Sequence, residues 1–394
     1  MIRHFLYLQG PLGPFYSDLS KELAKHGVAQ TRMTFNGGDK AFSFQGGTID
    51  FTGKLDNWRD YIEGFLSSKM ISDLVVYGDC RKYHKIAIET AKLLGIRVWV
   101  FEEGYLRPDF ITLELGGVNG NSDFDNGGEL GEFNDRSVEV PRHLMWIRAG
   151  YATWYYLNRT ARFLKYRNYQ HHRRGGTIYE AWSWVCSFAR KPFYKLRDAI
   201  NWSTVKRMAS SHNVYIVPLQ VHNDSQILCH SPYNSVEEFL KEVIYSFTLD
   251  APKNSILVIK HHPMDRGFCN YSKLIAKSKR FIDPSCHVLY GHEFRLPEMY
   301  KYAAGCVTVN STVGISALIN SVPVKVMGNA IYDDEGLTSQ HTLHKFWIDP
   351  GSVSGAARSA FLQRLKARTQ LKGIFYTRDE SLISEVAQRL MSKS

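Results

Sequence analysis

The chain has 394 residues, 44% hydrophobic and 22% charged, enough to bury two separate cores and too apolar for a disordered, collagen-like or coiled-coil protein. No apolar run reaches ten residues, so no segment reads as a membrane-crossing helix. The net charge of +11 is concentrated: between Pro141 and Ser210, fourteen Lys and Arg meet two acids (Glu180 and Asp198), a surplus of +12 that leaves −1 for the rest.

In chain order, Phe5–Leu8 reads as a first strand. It is too short for a signal-peptide core and no small-residue cleavage site follows it. Phe15, Leu19 and Leu23 recur every four residues up to Gly27, predicting a helix with a glycine just past its end. Asp73–Gly78 and Ile96–Phe101 read as buried strands, separated by a helix over 85–94 that stops at Gly95. The basic segment 141–210 follows, with five of the eight tryptophans and the run Trp154-Tyr155-Tyr156. Leu144, Ile147, Tyr151, Trp154 and Tyr155 follow helical spacing. Three settings fit basic side chains interleaved with aromatic rings: an anionic lipid surface, nucleic acid, or a helical insertion with a solvated basic face. After Ser210 strands fall at Val214–Leu219, Ile256–Lys260, Val307–Val309 and Val324–Met327. Helices are expected over 236–247, 297–304, 312–320 and 380–391.

Repeated β-α-β units predict parallel sheets covered by helices on both faces. The expected class is α/β, with Rossmann-like domains over 1–140 and 211–375 facing a central cleft. A helical insertion (141–210) lies between them and a C-terminal helix (376–394) follows. No G-x-G-x-x-G follows the first strand and no G-x-x-x-x-G-K-[ST] occurs, which argues against dinucleotide oxidoreductases and P-loop enzymes. The six cysteines (80, 186, 229, 269, 286, 306) form no C-x-x-C pair and no cluster at zinc spacing. A reducing cytoplasm and no metal are expected.

In open parallel sheets, ligands bind beyond the C-terminal ends of the strands, and there this chain is unusually polar. The ends read Gly78-Asp79-Cys80-Arg81, Glu102-Glu103-Gly104, Gln220-Val-His-Asn-Asp224, Lys260-His261-His262-Pro263 and Asn310-Ser311-Thr312. Each has a plain reading beside the functional one. Glu102-Glu103 is a surface turn or an acid/base site. One of His261 and His262 suits an anion beside Lys260, and the other is structural. Ser311-Thr312 caps the following helix, alone or together with a phosphate. Asp224 and Glu298 are helix caps or functional carboxylates. Taken together they supply carboxylates, cations and a phosphate seat, the equipment of a transferase that uses a nucleotide-activated acidic sugar.

With these residues in view, the sequence resembles the capsule polysaccharide synthesis family of bacterial β-Kdo glycosyltransferases, most closely its KpsS-type branch. The matching blocks are Leu8-Gln-Gly-Pro-Leu-Gly-Pro-Phe, Phe35-Asn-Gly-Gly-Asp, Tyr77-Gly-Asp-Cys-Arg, Phe101-Glu-Glu-Gly-Tyr-Leu-Arg-Pro, Gln220-Val-His-Asn-Asp-Ser-Gln, Val258-Ile-Lys-His-His-Pro-Met-Asp-Arg-Gly, Val309-Asn-Ser-Thr-Val-Gly-Ile-Ser-Ala-Leu and Val326-Met-Gly-Asn-Ala.

The resemblance implies a GT-B fold and CMP-β-Kdo as donor, with retention of configuration. It implies lysophosphatidylglycerol as acceptor at the cytoplasmic face of the inner membrane, with other capsule biosynthesis or export proteins as further partners. A more distant likeness to bacterial CMP-sialic acid sialyltransferases makes Glu103 the base, with Glu102 in reserve. It places His262, Ser311 and Thr312 at the CMP phosphate and Glu298 at the ribose. Asp224, which ends a Gln-x-x-x-Asp motif, becomes the nucleophile that retention needs. Gln220, Lys260, Pro263, Arg266 and Asn310 fall with the donor, and Arg107 is the candidate grip on the Kdo carboxylate. Gly10, Gly13 and Asp79 fall on the acceptor side. No cofactor, metal or nucleic acid is expected. The alternatives are a GT-B transferase with another nucleotide-sugar donor and a non-catalytic adaptor of capsule assembly or export.

Overall fold

The computed structural model describes residues 3–124, 133–171 and 177–392, so Arg173 and Arg174 of the basic segment lie outside the described residues. The chain divides into two units, Met1–Arg173 with Gln363–Ser394, and Arg174–Leu362. The first runs through β1 (His4–Tyr7), α1 (Phe15–Lys25), β2 (Ala29–Thr34), β3 (Gly47–Asp50), α2 (Trp58–Ser68), β4 (Asp73–Tyr77), α3 (Lys82–Leu93), β5 (Arg97–Glu103), β6 (Phe110–Leu115) and α4 (Leu144–Ala161). The second holds α5 (Thr177–Met208), β7 (Asn213–Pro218), α6 (Ser225–His230), α7 (Val236–Asp250), β8 (Ser255–Lys260), α8 (Ser272–Ser278), β9 (His287–Gly291), α9 (Leu296–Tyr300), β10 (Ala303–Thr308), α10 (Thr312–Ile319), β11 (Val324–Val326) and α11 (Leu343–Ile348). The chain returns through α12 (Gly355–Thr369) to β12 (Gln370–Lys372) and α13 (Glu380–Met391), which complete the first unit.

The first sheet has the order β12-β6-β5-β4-β1-β2-β3, parallel from β5 to β3, with β6 and β12 antiparallel. The second, β11-β10-β7-β8-β9, is parallel throughout. Strand order reverses once in each, between β1 and β4 and between β7 and β10. This is Rossmann winding, and each reversal is a switch point, the place beyond the strand ends where open α/β sheets bind their ligands. The α/β class and the pair of Rossmann-like units expected from the sequence are what the structure has.

Alternation along β5 sets up the chemistry. Val98 and Val100 pack with Trp58, Ile62, Ala87 and Ala91 of α2 and α3. Trp99 and Phe101 pack with Phe15, Leu19, Val386 and Leu390 of α1 and α13. Successive side chains of a strand point to opposite faces, so Glu102 and Glu103 leave the sheet on opposite sides. In the second unit Tyr215, Val217, Leu257 and Ile259 pack against Phe239, Val243 and Phe247 of α7 and Phe346 and Trp347 of α11.

The observed division departs from boundaries at 140, 210 and 375. The basic segment is not one insertion: α4 belongs to the first unit and α5 to the second. Leu144, Ile147 and Tyr151 of α4 pack on the first core. Trp154 Nε1 donates to the Ala41 carbonyl at 2.9 Å, and the Tyr155 hydroxyl donates to Asp39 Oδ1 at 3.2 Å. Leu144, Ile147, Tyr151 and Tyr155 of α4 therefore face their own unit, while Trp146 and Trp154 stay 66% and 50% exposed. The helix expected over 297–304 stops at Tyr300, because Ala303 already pairs in β10.

Candidate active site

The second unit's switch point is built from the loops after β7 and β10. Asp224 caps α6, its Oδ1 accepting from the Gln226 N–H at 3.0 Å. Gln220, almost wholly buried, donates from Nε2 to Asp224 Oδ2 at 3.1 Å and to Asn310 Oδ1 at 3.0 Å. Asn310 is fixed in turn by donating to the carbonyls of Gln226 and His230 at 3.0 and 3.2 Å. The two loops on either side of the reversal are thus latched together, and the latch holds the Asp224 carboxylate. Ser311 caps α10, its Oγ accepting from the Val313 N–H at 3.2 Å, and Thr312 opens the helix. The start of α10 offers backbone N–H groups and the positive end of the helix dipole.

The β8 end divides its roles. His261 is buried and its Nδ1 shares a hydrogen bond with the Tyr290 hydroxyl at 2.7 Å, which makes it the structural histidine. His262 is half-buried and caps the turn Pro263–Asp265, its Nδ1 accepting from the Met264 N–H at 3.2 Å; Pro263 is exposed. Lys260 is buried, and that burial pulls its ammonium down to about 8. Arg266 departs from the expected donor role. Its guanidinium is turned inward, paired with Glu293 and donating to Ser187 Oγ at 3.2 Å, so it fastens α5 to the β9 loop. Glu298 lies on the surface, 3.0 Å from Lys301.

In the first unit, Glu103 Oε1 accepts from the Tyr376 hydroxyl at 2.7 Å and the Tyr77 hydroxyl at 3.4 Å, with Arg148 at 3.6 Å. The Arg148 guanidinium lies over the Tyr376 ring at 4.5 Å. Glu102, on the other face, accepts the Glu103 N–H at 2.9 Å, and burial pushes its carboxyl up to about 7. Arg107 is exposed in the β5–β6 turn and donates from Nε to the Gly104 carbonyl at 3.3 Å.

The residues expected on the acceptor side each have close neighbours within their own unit. Asp79 is buried and accepts from the Val118 N–H at 3.1 Å and Asn121 Nδ2 at 3.0 Å, so its carboxylate holds the loop after β6. At Gly10 a Cβ would lie 2.5 Å from the Tyr16 ring, so a neighbouring ring rather than a ligand requires glycine there. Gly13 has φ of +110°, which explains it by backbone conformation.

Several partners could not be picked out of the sequence. Tyr77, Tyr376 and Arg148 come from β4, the segment before α13, and α4. His222 sits in the Gln220–Asp224 loop, its Nδ1 2.7 Å from Asp265 Oδ1 and its ring stacked on Phe268. His222, Asp265 and Cys269 bring ligand-type atoms within 4.8 Å of one another. Burial pushes the Cys269 thiol up to about 12.

Buried histidines make the second unit acid-sensitive. Burial pulls His261 down to about 4 and His292, beside it and near Lys260, Arg197, Arg266 and Asp198, down to about 2. The unfolded chain takes up these protons near pH 6.5 and the folded unit does not, so stability is present above 6.5 and is lost as pH falls below it. The slope is about 1.4 kcal/mol per pH unit for each histidine. In the first unit His84, pulled to about 3, acts the same way. Glu102 and Glu114, both pushed up to about 7 by burial, act oppositely, because the folded unit binds their protons first. Between pH 7 and 5, the protection factors of β8 and β9 amides, corrected for the intrinsic fall of exchange with pH, are expected to drop before those of β4 and β5. An equal drop in both sheets would contradict this account.

Two Rossmann-like units, each with polar groups at its switch point, define an open-sheet α/β protein of the doubly wound class. Residues 72–376 match the family model described as capsule polysaccharide biosynthesis protein, and the chain belongs to that family. It is 39% identical over 380 residues to the capsule polysaccharide export protein KpsS of Escherichia coli, covering 95% of this chain and 97% of that protein. It is 35% identical over 390 residues to the capsule polysaccharide modification protein LipB of Neisseria meningitidis serogroup A, covering 95% and 92%. Among solved structures, the Thermosulfurimonas dismutans KpsC β-Kdo 2,7 transferase aligns with a TM-score of 0.42 and 16% identity, over 92% of this chain and 98% of that one.

Proposed function

We propose that this chain is a retaining β-Kdo transferase that moves the first Kdo from CMP-β-Kdo to lysophosphatidylglycerol at the cytoplasmic face of the inner membrane, beginning the poly-Kdo linker of a capsular polysaccharide. The observation that carries the reading is the Gln220–Asp224–Asn310 latch at the second unit's switch point, where a carboxylate is held beside the start of α10. Asp224 attacks C2 of Kdo, the C2–O bond to CMP breaks, and CMP departs with the bonding pair. Lys260, His262, Ser311, Thr312 and the α10 terminus offset the charge developing on its phosphate. Glu103 then takes the proton of the acceptor hydroxyl. The freed oxygen attacks C2 and the Asp224 carboxylate is released, so two displacements restore the β configuration. Arg107 grips the Kdo carboxylate. These cations make a metal unnecessary for CMP departure.

The names of the two relatives speak of export and modification, and a non-catalytic role in export would leave a sugar nucleotide untouched. The test is CMP release from freshly generated CMP-Kdo, with and without lysophosphatidylglycerol. Acceptor-dependent release, unchanged by EDTA, is expected. No release, beside a thermal shift with UDP and none with CMP, would discard the Kdo assignment in favour of another donor. No nucleotide response at all would favour the adaptor. Loss of release on EDTA treatment would overturn the metal-free reading alone.

A further inference from the structure

Helix α5 is built inside out. The side chains it turns into its own unit are Ser183, Ser187, Tyr194, Asp198 and Val205, all buried. Most of them are polar and are matched there. Ser187 accepts from Arg266 Nη1, Asp198 Oδ2 accepts from the His292 and Glu293 N–H groups, and the Tyr194 ring stacks on His292 at 3.8 Å. At Gly267 the Ser183 carbonyl comes so close that a Cβ would not fit.

On the opposite side, Trp182, Val185, Ala189, Phe193, Leu196 and Ile200 follow one another at intervals of three and four, the spacing of a single helical stripe. All six are exposed, the five large ones by 58–68%. Positions 182–200 span about 27 Å of helix. A surface helix normally buries its apolar stripe and wets its polar face, so an exposed stripe of this length marks a contact surface.

The charge beside the stripe selects its occupant. Arg190, Lys191, Lys195, Lys206 and Arg207 are exposed along the same helix, whereas Asp198 is buried in hydrogen bonds. Protein interface cores are depleted of lysine. An aromatic and aliphatic stripe flanked by Lys and Arg is instead the pattern of a helix lying in the plane of an anionic bilayer surface.

We infer that the outer face of α5 is a membrane seat, with its apolar stripe at headgroup depth and its lysines and arginines on anionic phospholipid. This goes beyond the proposed Kdo transfer by naming the surface that meets the lipid, and it is readable with neither donor nor acceptor present. It places that contact on the α5 part of the basic segment.

The test is cosedimentation of the full chain with vesicles of phosphatidylethanolamine and phosphatidylglycerol, against vesicles of phosphatidylcholine alone. Wild type is expected to bind the anionic vesicles and to release at high salt. The triple variant Trp182→Ser, Phe193→Ser, Leu196→Ser is expected to bind at least ~10-fold more weakly. Because those side chains stand outside the core, its melting temperature and its CMP release with monomeric acceptor should match wild type. Lys206→Glu with Arg207→Glu should weaken binding at low salt only. The inference is overturned if wild type binds both vesicle types equally at low salt, or binds neither, as a protein-docking face would. Wild-type binding by the triple variant would overturn it too. Failure of CMP release with intact vesicle binding would sink the Kdo-transfer reading and leave the seat standing.

Discussion

Asp224→Asn is expected to lower acceptor-dependent CMP release by about a thousandfold or more while leaving the protein folded. The case for this substitution over Asp224→Ala lies in the double duty of the carboxylate. Its Oδ1 caps α6 and its Oδ2 accepts from Gln220. Alanine would lose the cap as well as the nucleophile, a stability loss of about 1 kcal/mol that would blur the result. Asparagine caps as well as aspartate does, but its amide is no match for a carboxylate as a nucleophile. The cost of Asp224→Asn is local: its Nδ2 would face Gln220 Nε2, two donors nose to nose. Gln220 cannot turn over freely, because its Oε1 already accepts from the Asn310 N–H at 3.4 Å. A drop of a few degrees in melting temperature is therefore expected, beside the near-complete loss of rate. A covalent route makes a second demand: with Glu103→Gln slowing the second displacement, a Kdo ester should accumulate on the peptide containing Asp224 and be visible by mass. Retention of more than a tenth of the rate in Asp224→Asn, with product of unchanged configuration, would remove Asp224 as nucleophile.

The strands carrying these groups were legible because each is a short run of apolar residues bounded by turn residues, such as Asp73-Leu-Val-Val-Tyr77 and Ser255-Ile-Leu-Val-Ile-Lys260. Their polar ends stood out for the same reason. What the pattern cannot disclose is whether a polar side chain at a strand end meets a ligand or the protein itself. Asp79 and Arg266 look like their neighbours in sequence, yet both are spent on internal partners, Asn121 and the Val118 amide for one and Glu293 and Ser187 for the other. Long-range pairing was equally hidden. Three residues, Gln370-Leu-Lys372, are too few to announce a strand, and only their antiparallel match to Phe110–Thr112 returns the chain's end to the first unit. Helical spacing in 141–210 likewise said that apolar stripes exist but not which way they turn. In α4 the stripe turns inward, whereas in α5 the buried charges of Asp198 and Arg266 claim the inner side and the stripe is left outside.

Glu103→Gln is expected to reduce turnover by about 10²- to 10⁴-fold, the range for loss of a general base, and Glu102→Gln by no more than about tenfold. Strand geometry drives the asymmetry. The two carboxylates leave β5 on opposite faces, so one acceptor hydroxyl cannot be served equally by both. Glu103 is held from three directions, by the Tyr376 and Tyr77 hydroxyls and by Arg148, all at Oε1, so its position is over-determined as a base requires. Glu102 instead accepts the Glu103 backbone N–H, so its substitution is expected to act through the position of Glu103. Burial pushes its carboxyl up to about 7, so it titrates around neutrality. Near neutrality its ionisation should therefore appear as an inflection in the pH–rate profile, and Glu102→Gln should flatten that inflection while sparing most of the rate. Tyr376→Phe, which deletes the 2.7 Å hydrogen bond to Glu103 and keeps the ring under Arg148, should raise KM little and lower kcat. Were the base Glu102, the pattern would invert: Glu102→Gln would be nearly inactive at every pH, and both Glu103→Gln and Tyr376→Phe would keep most of the wild-type rate.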